Sequence, residues 1–312
     1  MAHKDFIALH DWTPAEIQEL FELSARVKAD KEAYRRSCAG QALGLYFEKS
    51  STRTRVSFEV GIYELGGTGL FLGPRDLQVG RGETIADTAR VLSRYLGGIM
   101  ARTFGHDIVT ELAKWATIPV INGLTDYNHP CQALTDYFTL LEKKKKLKGL
   151  KLAYVGDGNN VATSLAIGAA KTGVHFVAAS PAGYQMRADV VEMARADARE
   201  TGATIEVATD PAAAVRGADA VYTDVWASMG QEEEHAKRLQ AFRGYQVDLA
   251  LFAKAKPDAV FMHCLPAHHG EEVSREVCEH QRSVIFDEAE NRLHCQKAIM
   301  VTLMGNRKGG KP

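Results

Sequence analysis

The chain has 312 residues, 46% of them apolar, with 38 lysines and arginines against 39 aspartates and glutamates. Because this balance leaves almost no net charge, nothing favours nucleic acid or an acidic membrane surface as partner, and we expect a small-molecule substrate. No apolar run approaches the ~20 residues that cross a bilayer, and the N-terminus lacks a signal-peptide pattern, so we predict no membrane association and a cytoplasmic location.

The first predicted element is a helix. Thr13-Pro14-Ala15-Glu16 is a capping-box pattern with proline at the first helical position, and the helix should run to about Lys31. Short apolar runs then alternate with amphipathic segments, which is the pattern of a parallel α/β sheet. The predicted strands of this half are residues 43–47, 69–72, 98–102 and 119–124.

A lysine-rich stretch at residues 143–148 ends this series, and we place a domain junction there. Two domains also suit the length, which exceeds what one core usually serves. The second series of strands is predicted at 152–155, 174–179, 204–207, 220–225, 259–263 and 284–286, before a helix at 291–305. We therefore predict two doubly wound parallel-sheet α/β domains, 1–148 and 149–290, with the last helix packing back on the first.

Residues 51–55, Ser-Thr-Arg-Thr-Arg, lie between the first predicted strand and a helix. The first N–H groups of a helix have no intrahelical acceptor, so hydroxyls and guanidinium groups placed there suit phosphate oxygens. The alternative is that Ser and Thr only cap the helix while the arginines face solvent. The crowding of Lys49, Arg53 and Arg55 in one turn favours a bound anion.

Polar side chains also follow the other predicted strands. Ligands of open parallel sheets bind beyond the carboxyl ends of the strands, so this placement predicts one active site in a cleft between the two domains. The residues are Gln78, Arg102 and His129-Pro130-Cys131-Gln132 in the first half, and Asn159, Asn160, Asp224, Ser228, Met229 and His263-Cys264-Leu265-Pro266 in the second.

Four motifs combine these residues: Ser51-Thr52-Arg53-Thr54-Arg55, His129-Pro130-Cys131-Gln132, Asp224 with Ser228-Met229-Gly230, and His263-Cys264-Leu265-Pro266. Together they resemble the ornithine carbamoyltransferases of the aspartate/ornithine carbamoyltransferase superfamily, over nearly the whole chain. The first two motifs imply carbamoyl phosphate, and the last two select the acceptor. The resemblance implies an enzyme of arginine metabolism that transfers the carbamoyl group of carbamoyl phosphate to the side-chain amine of L-ornithine, giving L-citrulline and phosphate.

The resemblance also implies roles for single residues. Those for carbamoyl phosphate are Ser51, Thr52, Arg53, Thr54, Gln78, Arg102, His129, Gln132, Cys264, Leu265 and Arg292, and those for ornithine are Asn160, Asp224, Ser228 and Met229. Arg102 and His129 would stabilise charge on the carbonyl oxygen, while Asp224 and Cys264 would orient the amine and help deprotonate it. Arg53 and Arg55 would neutralise the leaving phosphate. Arg292 is further expected to lower the pKa of Cys264.

The family resemblance implies a homotrimer, or a multiple of trimers, in which Gln78 reaches the active site of a neighbouring subunit. Aspartate and putrescine are alternative acceptors, which Asp224 and Ser228-Met229-Gly230 disfavour. An alternative that is not an enzyme is a carbamoyltransferase-like subunit that binds a ligand or a protein without turnover. The loss of one of the four motifs would support it, and none of them is lost. The direction of the pathway, arginine synthesis or breakdown, is left open.

No cofactor or metal is predicted. Gly156-Asp157-Gly158 begins like a dinucleotide fingerprint, but Val161 occupies the third glycine position. The five cysteines are an odd number without a Cys-x-x-Cys pair, so reduced thiols are expected rather than disulfides or a zinc site. His263, His268 and His269 lack a recognised ligand spacing.

Overall fold

The computed structural model describes residues 4–77, 79, 82–227 and 234–305, which form two compact units. Unit 1 contains the described residues up to Cys131 and from Asn291 onward, and unit 2 contains those between them. Both boundaries fall inside helices, namely α5 (Pro130–Lys144) and α12 (Ile285–Met304). No change in composition marks these positions, and the domain limit at residue 148 stays a prediction.

Unit 1 is built on a four-stranded parallel sheet in the order β2-β1-β3-β4. The strands are β1 (Ala42–Phe47), β2 (Thr68–Leu72), β3 (Gly98–Arg102) and β4 (Val120–Leu124), and all four predicted strands are confirmed to within one residue. The helices are α1 (Pro14–Ala29), α2 (Thr52–Glu64), α3 (Ile85–Tyr95) and α4 (His106–Trp115), with short 3-10 helices at Leu9–Asp11 and Glu32–Tyr34.

Local sequence explains these elements. The capping box of α1 is confirmed: the Thr13 hydroxyl accepts from the Glu16 N–H, and the Glu16 carboxylate accepts from the Thr13 N–H. The strands β1, β3 and β4 are buried, as expected for a parallel sheet covered by helices on both faces. Of the two edge strands, β2 is largely exposed, whereas β4 is paired further by a bridge between Phe6 and Ile121.

The residues of α12 that belong to unit 1 are held to it by polar contacts. The Lys28 ammonium donates to Asn291 Oδ1 at 2.7 Å. The Lys297 ammonium is fully buried and pairs with Glu64 at 2.6 Å, so its charge is compensated. These contacts place the neighbouring residue Arg292 within unit 1.

Unit 2 is built on a five-stranded parallel sheet in the order β7-β6-β5-β8-β9. The strands are β5 (Lys151–Val155), β6 (His175–Ala179), β7 (Ile205–Ala208), β8 (Ala220–Tyr222) and β9 (Val260–Met262). Besides α5, the helices are α6 (Asn160–Thr172), α7 (Ala188–Thr201), α8 (Pro211–Val215), α9 (His235–Ala241), α10 (Leu249–Phe252) and α11 (Arg275–Cys278). Five of the six strands predicted here are confirmed, and with unit 1 they confirm two α/β domains with parallel sheets.

The strand predicted at 284–286 is wrong. Ser283 forms only an isolated parallel bridge to Phe261, and the helix α12 already begins at Ile285 rather than at residue 291. Its first turn is acidic, which stabilises a helix N-terminus, and Phe286 is 74% exposed, so this apolar run is not a buried strand. In the described part of the chain, no helix is both long enough and apolar enough to span a membrane.

Candidate active site

The Ser51 side chain is the N-cap of α2. Its hydroxyl oxygen accepts from the Thr54 N–H at 3.2 Å, and its O–H lies 3.1 Å from Thr54 Oγ1. Thr52 and Arg53 therefore occupy the first turn, where N–H groups without intrahelical acceptors and the helix dipole favour an anion.

Two buried arginines meet at Thr54. Arg102, at the end of β3, places Nη1 3.5 Å from Thr54 Oγ1, and Arg292, from α12, places Nη2 3.2 Å from the same atom. All three side chains are more than nine-tenths buried. Gln296 supports Arg292, because the orientation of its amide that satisfies both groups places its oxygen 3.1 Å from Arg292 Nε. The sequence patterns did not indicate this glutamine.

His129 lies among the same cations. Burial, followed by the charges of Arg292, Arg102 and Arg53, holds its pKa well below the usual value, so the imidazole is neutral near pH 7. A neutral imidazole carries one N–H donor and one acceptor nitrogen. Unit 1 therefore brings together Ser51, the start of α2, three arginines and a neutral histidine.

Lys49 and Arg55 have other partners. The Lys49 ammonium is buried and pairs with Asp126 at 2.5 Å. The Arg55 guanidinium pairs with Glu59 at 3.1 Å and stacks 3.8 Å from the centre of the Phe71 ring. The charges of Lys49 and Arg55 are therefore already compensated within the protein.

The second group of predicted residues lies in unit 2 and surrounds Asp224, which follows β8. Cys264 Sγ donates to Asp224 Oδ1 at 3.0 Å, and Asn159 Nδ2 donates to Asp224 Oδ2 at 2.8 Å. Asn159 is also the N-cap of α6 and accepts from two N–H groups of that helix. Its role as a support of Asp224 was missed, although its place directly after β5 was a signal.

Cys264 is a thiol rather than a thiolate. Burial raises its pKa well above the usual value, and the neighbouring Asp224 raises it further. The expectation that Arg292 lowers the pKa of Cys264 is wrong, because this pKa is raised. Leu265 follows with φ of 58°, a backbone region uncommon for leucine, and a cis peptide bond joins it to Pro266. Its N–H donates to His263 Nδ1 at 2.8 Å, and this hydrogen bond fixes the backbone conformation around Cys264.

Gln132 is fixed by two buried acids. Its side-chain amide nitrogen lies 2.8 Å from Asp136 Oδ1 and 2.8 Å from Glu288 Oε1. Glu288 also accepts from the His263 N–H, and its pKa is raised well above the usual value by burial and by Asp136. Burial and the neighbouring Asp136 therefore both favour the protonated form of Glu288.

Arg238 connects the helix α9 to Asp157 in the β5–α6 loop and to Trp226, which follows β8. Arg238 is buried and donates to Asp157 Oδ2 and to the Trp226 carbonyl, at 2.8 Å each. Burial raises the pKa of Asp157 to about 6, although Arg238 opposes this shift. Asn160, predicted to bind ornithine, is the first residue of α6. The predicted residues Gln78, Ser228 and Met229 lie outside the described residues.

Comparison with known proteins agrees with this arrangement. Residues 4–142 match the carbamoyl-phosphate-binding domain of aspartate/ornithine carbamoyltransferases, and residues 148–303 match their aspartate/ornithine-binding domain. An ornithine carbamoyltransferase of Symbiobacterium thermophilum is 60% identical over 96% of this chain and 98% of its own, and one of Thermococcus kodakarensis is 53% identical over 99% and 98%. The solved ornithine carbamoyltransferase of Pyrococcus furiosus superposes with a TM-score of 0.94 at 52% identity, over 97% of both chains. The chain belongs to the aspartate/ornithine carbamoyltransferase family.

Proposed function

We propose that this protein is an ornithine carbamoyltransferase, which forms L-citrulline and phosphate from carbamoyl phosphate and L-ornithine. The observation that carries the proposal is the meeting of Arg102 and Arg292 at Thr54, in the first turn of α2 and beside the neutral His129. This set of donors suits a small phosphorylated substrate whose carbonyl oxygen gains charge during reaction. The names of relatives at 52–60% identity support ornithine as the acceptor.

The phosphate is assigned to the start of α2. Ser51, Thr52, Arg53 and Thr54 supply hydroxyls, helix N–H groups and one guanidinium, which together match phosphate oxygens. Arg53 neutralises the charge that grows on the leaving phosphate as the C–O bond breaks. Gln78, by resemblance to the family, adds a contact from a neighbouring subunit.

The carbamoyl carbonyl is assigned to Arg102, His129 and the Thr54 hydroxyl. Arg292, which contacts the same hydroxyl, faces the carbamoyl phosphate by resemblance to the family. When the amine attacks, the carbonyl oxygen becomes an oxyanion, and fixed donors stabilise it without reorganising. The lowered pKa of His129 makes it a neutral N–H donor rather than a cation. Gln132 is assigned to the carbamoyl amide by resemblance to the family, and Asp136 and Glu288 fix its side chain through its amide nitrogen.

The acceptor is assigned to Asn160, Asp224, Ser228 and Met229, with Cys264 and Leu265 beside the carbamoyl group. The amine must lose a proton before its lone pair can attack, and the Asp224 carboxylate is the acceptor suited to an ammonium group. Cys264, as a thiol, positions Asp224 through its hydrogen bond and is not itself the base. The new N–C bond replaces the C–O bond to phosphate, and the amine proton leaves with phosphate or solvent.

We further propose that the protein assembles as a homotrimer, or a multiple of trimers. Unit 1 exposes Val56, Val60 and Tyr63 at helical spacing along α2, and Leu70 and Phe71 on the edge strand β2. Exposed apolar surface next to a sheet edge is typical of an interface. Sedimentation velocity should give the mass of a trimer or its multiple, and Val60→Lys should shift it to smaller species. Val207→Lys, on the edge strand β7 of unit 2, is the matched control and should not.

A colorimetric citrulline assay tests the reaction. Carbamoyl phosphate is offered with ornithine, N-acetylornithine, putrescine or aspartate in separate reactions, and the carbamoylated product of each is measured. Ornithine should give by far the highest kcat/KM. Preference for another acceptor, or no product with any of them, would refute the proposed function.

A further inference from the structure

Four side chains of unit 2 form a cluster that the reaction above does not use. His235 begins α9, and His268, Glu271 and Glu272 lie in the loop after β9. His235 Nε2 lies 3.1 Å from Glu271 Oε2, and His268 Nδ1 lies 3.8 Å from the same oxygen. One ligand atom from each of His268, Glu271 and Glu272 lies within 4.8 Å of the others.

Glu272 gives this cluster a buried carboxylate that its neighbours only half satisfy. Its side chain is fully buried, and Oε1 accepts from the His268 N–H at 2.6 Å and faces His263 Nε2 at 3.2 Å. Among the described residues, Oε2 has no hydrogen-bond partner. A buried carboxylate oxygen without a donor is costly, and a cation at this position would remove the cost.

The donor types and spacings suit one class of ion. Imidazole nitrogen and carboxylate oxygen are zinc ligands at about 2.0–2.2 Å, which places neighbouring ligand atoms of a tetrahedral site roughly 3.3 Å apart. The His235–Glu271 and His268–Glu271 distances bracket that value. Both histidines are nearly half exposed, so an ion can enter from solvent.

We propose that His235, His268, Glu271 and Glu272 form a binding site for a divalent transition-metal ion, with zinc as the best match. His263 is not a ligand, because its Nδ1 accepts from the Leu265 N–H and its Nε2 donates to Glu272. The bound ion ties the start of α9 to the loop after β9. The sequence could not indicate this site, since His235 and Glu271 are 36 residues apart along the chain.

The site differs chemically from a second cluster in which Asp224, His263 and Cys264 also bring ligand atoms within 4.8 Å of one another. That cluster contains a thiol that belongs to the proposed active site. Any zinc bound there has a sulfur ligand, whereas the proposed site offers only nitrogen and oxygen. The visible and near-ultraviolet spectrum of bound Co²⁺ separates the two, because a thiolate ligand adds an intense charge-transfer band.

The test uses the full chain, freed of metal with a chelator, and titrated with Zn²⁺ by calorimetry and with Co²⁺ by absorption. We expect one zinc ion per chain in the Cys264→Ala background, and a Co²⁺ spectrum with tetrahedral d–d bands but no thiolate band. His235→Ala and His268→Ala should each weaken zinc binding more than about tenfold, since even changes in the second coordination sphere of metal sites have effects of that size. The exposed neighbour His269→Ala is the matched control and should bind like its parent.

Three results would overturn the proposal: no zinc binding in the Cys264→Ala background, binding there that neither histidine variant weakens, or an equal loss with His269→Ala. Circular dichroism of each apo variant shows whether it is folded before titration. If an alanine variant misfolds, glutamine takes the place of alanine at the same histidine, as His235→Gln or His268→Gln, and this variant must also weaken zinc binding. None of these readouts depends on turnover, so failure of the metal site and failure of the proposed function are distinguishable.

Discussion

Cys264 Sγ donates a hydrogen bond to Asp224 Oδ1 across 3.0 Å, while Asn159 occupies the other carboxylate oxygen. The carboxylate of Asp224 is thus held on both sides, and the thiol keeps its proton because its pKa is raised. The hydrogen bond to Asp224 therefore gives Cys264 a role at the site that does not require a nucleophilic thiolate.

Cys264→Ala should therefore impair the ornithine side of the reaction. Losing a hydrogen bond to a charged group costs about 1.5–3 kcal/mol, so kcat/KM for ornithine should fall roughly 10- to 150-fold. Cys264→Ser keeps a donor and should lose less. Steady-state kinetics with ornithine varied at saturating carbamoyl phosphate measure both, and equal losses in the two variants would contradict the role of the thiol as donor.

The raised pKa of Cys264 also predicts low reactivity. The thiolate is the species that alkylating reagents attack, so the rate of iodoacetamide labelling at Cys264 should stay low from pH 6 to 8.5 and rise about tenfold per pH unit without reaching a plateau. Peptide mass spectrometry of timed samples gives this rate. A labelling rate that rises to a plateau below pH 8 would show a lowered pKa and would restore the expectation that a neighbouring cation activates the thiol.

Arg53 and Arg55 offer a matched pair of substitutions within one helical turn. Arg53→Ala should lower kcat/KM for carbamoyl phosphate by ~10²–10³, as the loss of one stabilising donor typically does. Arg55→Ala should change it less than about tenfold, because the Arg55 guanidinium already pairs with Glu59 and stacks on Phe71. Comparable losses in both variants would show that the phosphate engages the two arginines together.

Much of the fold and part of the site could be predicted from the sequence. The strands that carry Arg102 and precede Ser51 and Asp224 are short apolar runs buried on both faces, and such runs are visible without structure. The N-cap role of Ser51 follows from its place between a strand and an amphipathic segment.

What could not be predicted depends on contacts between distant residues. The apolar run at 284–286 looks like a strand, and only the acidic turn of α12 and the exposure of Phe286 show a helix instead. Glu288 in that turn reaches Gln132, which is 156 residues away along the chain. The protonation of Cys264 likewise depends on burial. The cleft that the sequence predicts between the two domains stays a prediction.

The pH dependence of stability should reveal the neutral state of His129. Its pKa is lowered in the folded protein, so folding disfavours the protonated form. The stabilisation is complete above the unfolded value of about 6.5 and is lost as the pH falls below it, by at most ~1.4 kcal/mol per pH unit. His129→Asn stays neutral, so its free energy of unfolding should fall less between pH 6.5 and 5. Urea unfolding of both proteins at several pH values measures the difference, and parallel curves would contradict a lowered pKa.

The contribution of Glu288 to the pH dependence of stability should have the opposite sign to that of His129. Its pKa is raised in the folded protein, so its contribution to stability is complete below the unfolded value of about 4.3 and declines as the pH rises toward the folded value. Glu288→Gln mimics the protonated acid and removes this decline, so its unfolding free energy should vary less between pH 5 and 8 than that of the parent.

Kinetics of the same variants test whether Glu288 positions Gln132. Gln132 and the His263 N–H donate to different oxygens of Glu288, so a glutamine at this position keeps an acceptor for one of them, whereas Glu288→Ala removes the acceptor of both. We therefore expect Glu288→Gln to keep more of the kcat than Glu288→Ala, which should lose at least tenfold, about 1.4 kcal/mol. A Glu288→Gln variant as slow as Glu288→Ala, with a stability no less dependent on pH than that of the parent, would contradict the raised pKa of Glu288.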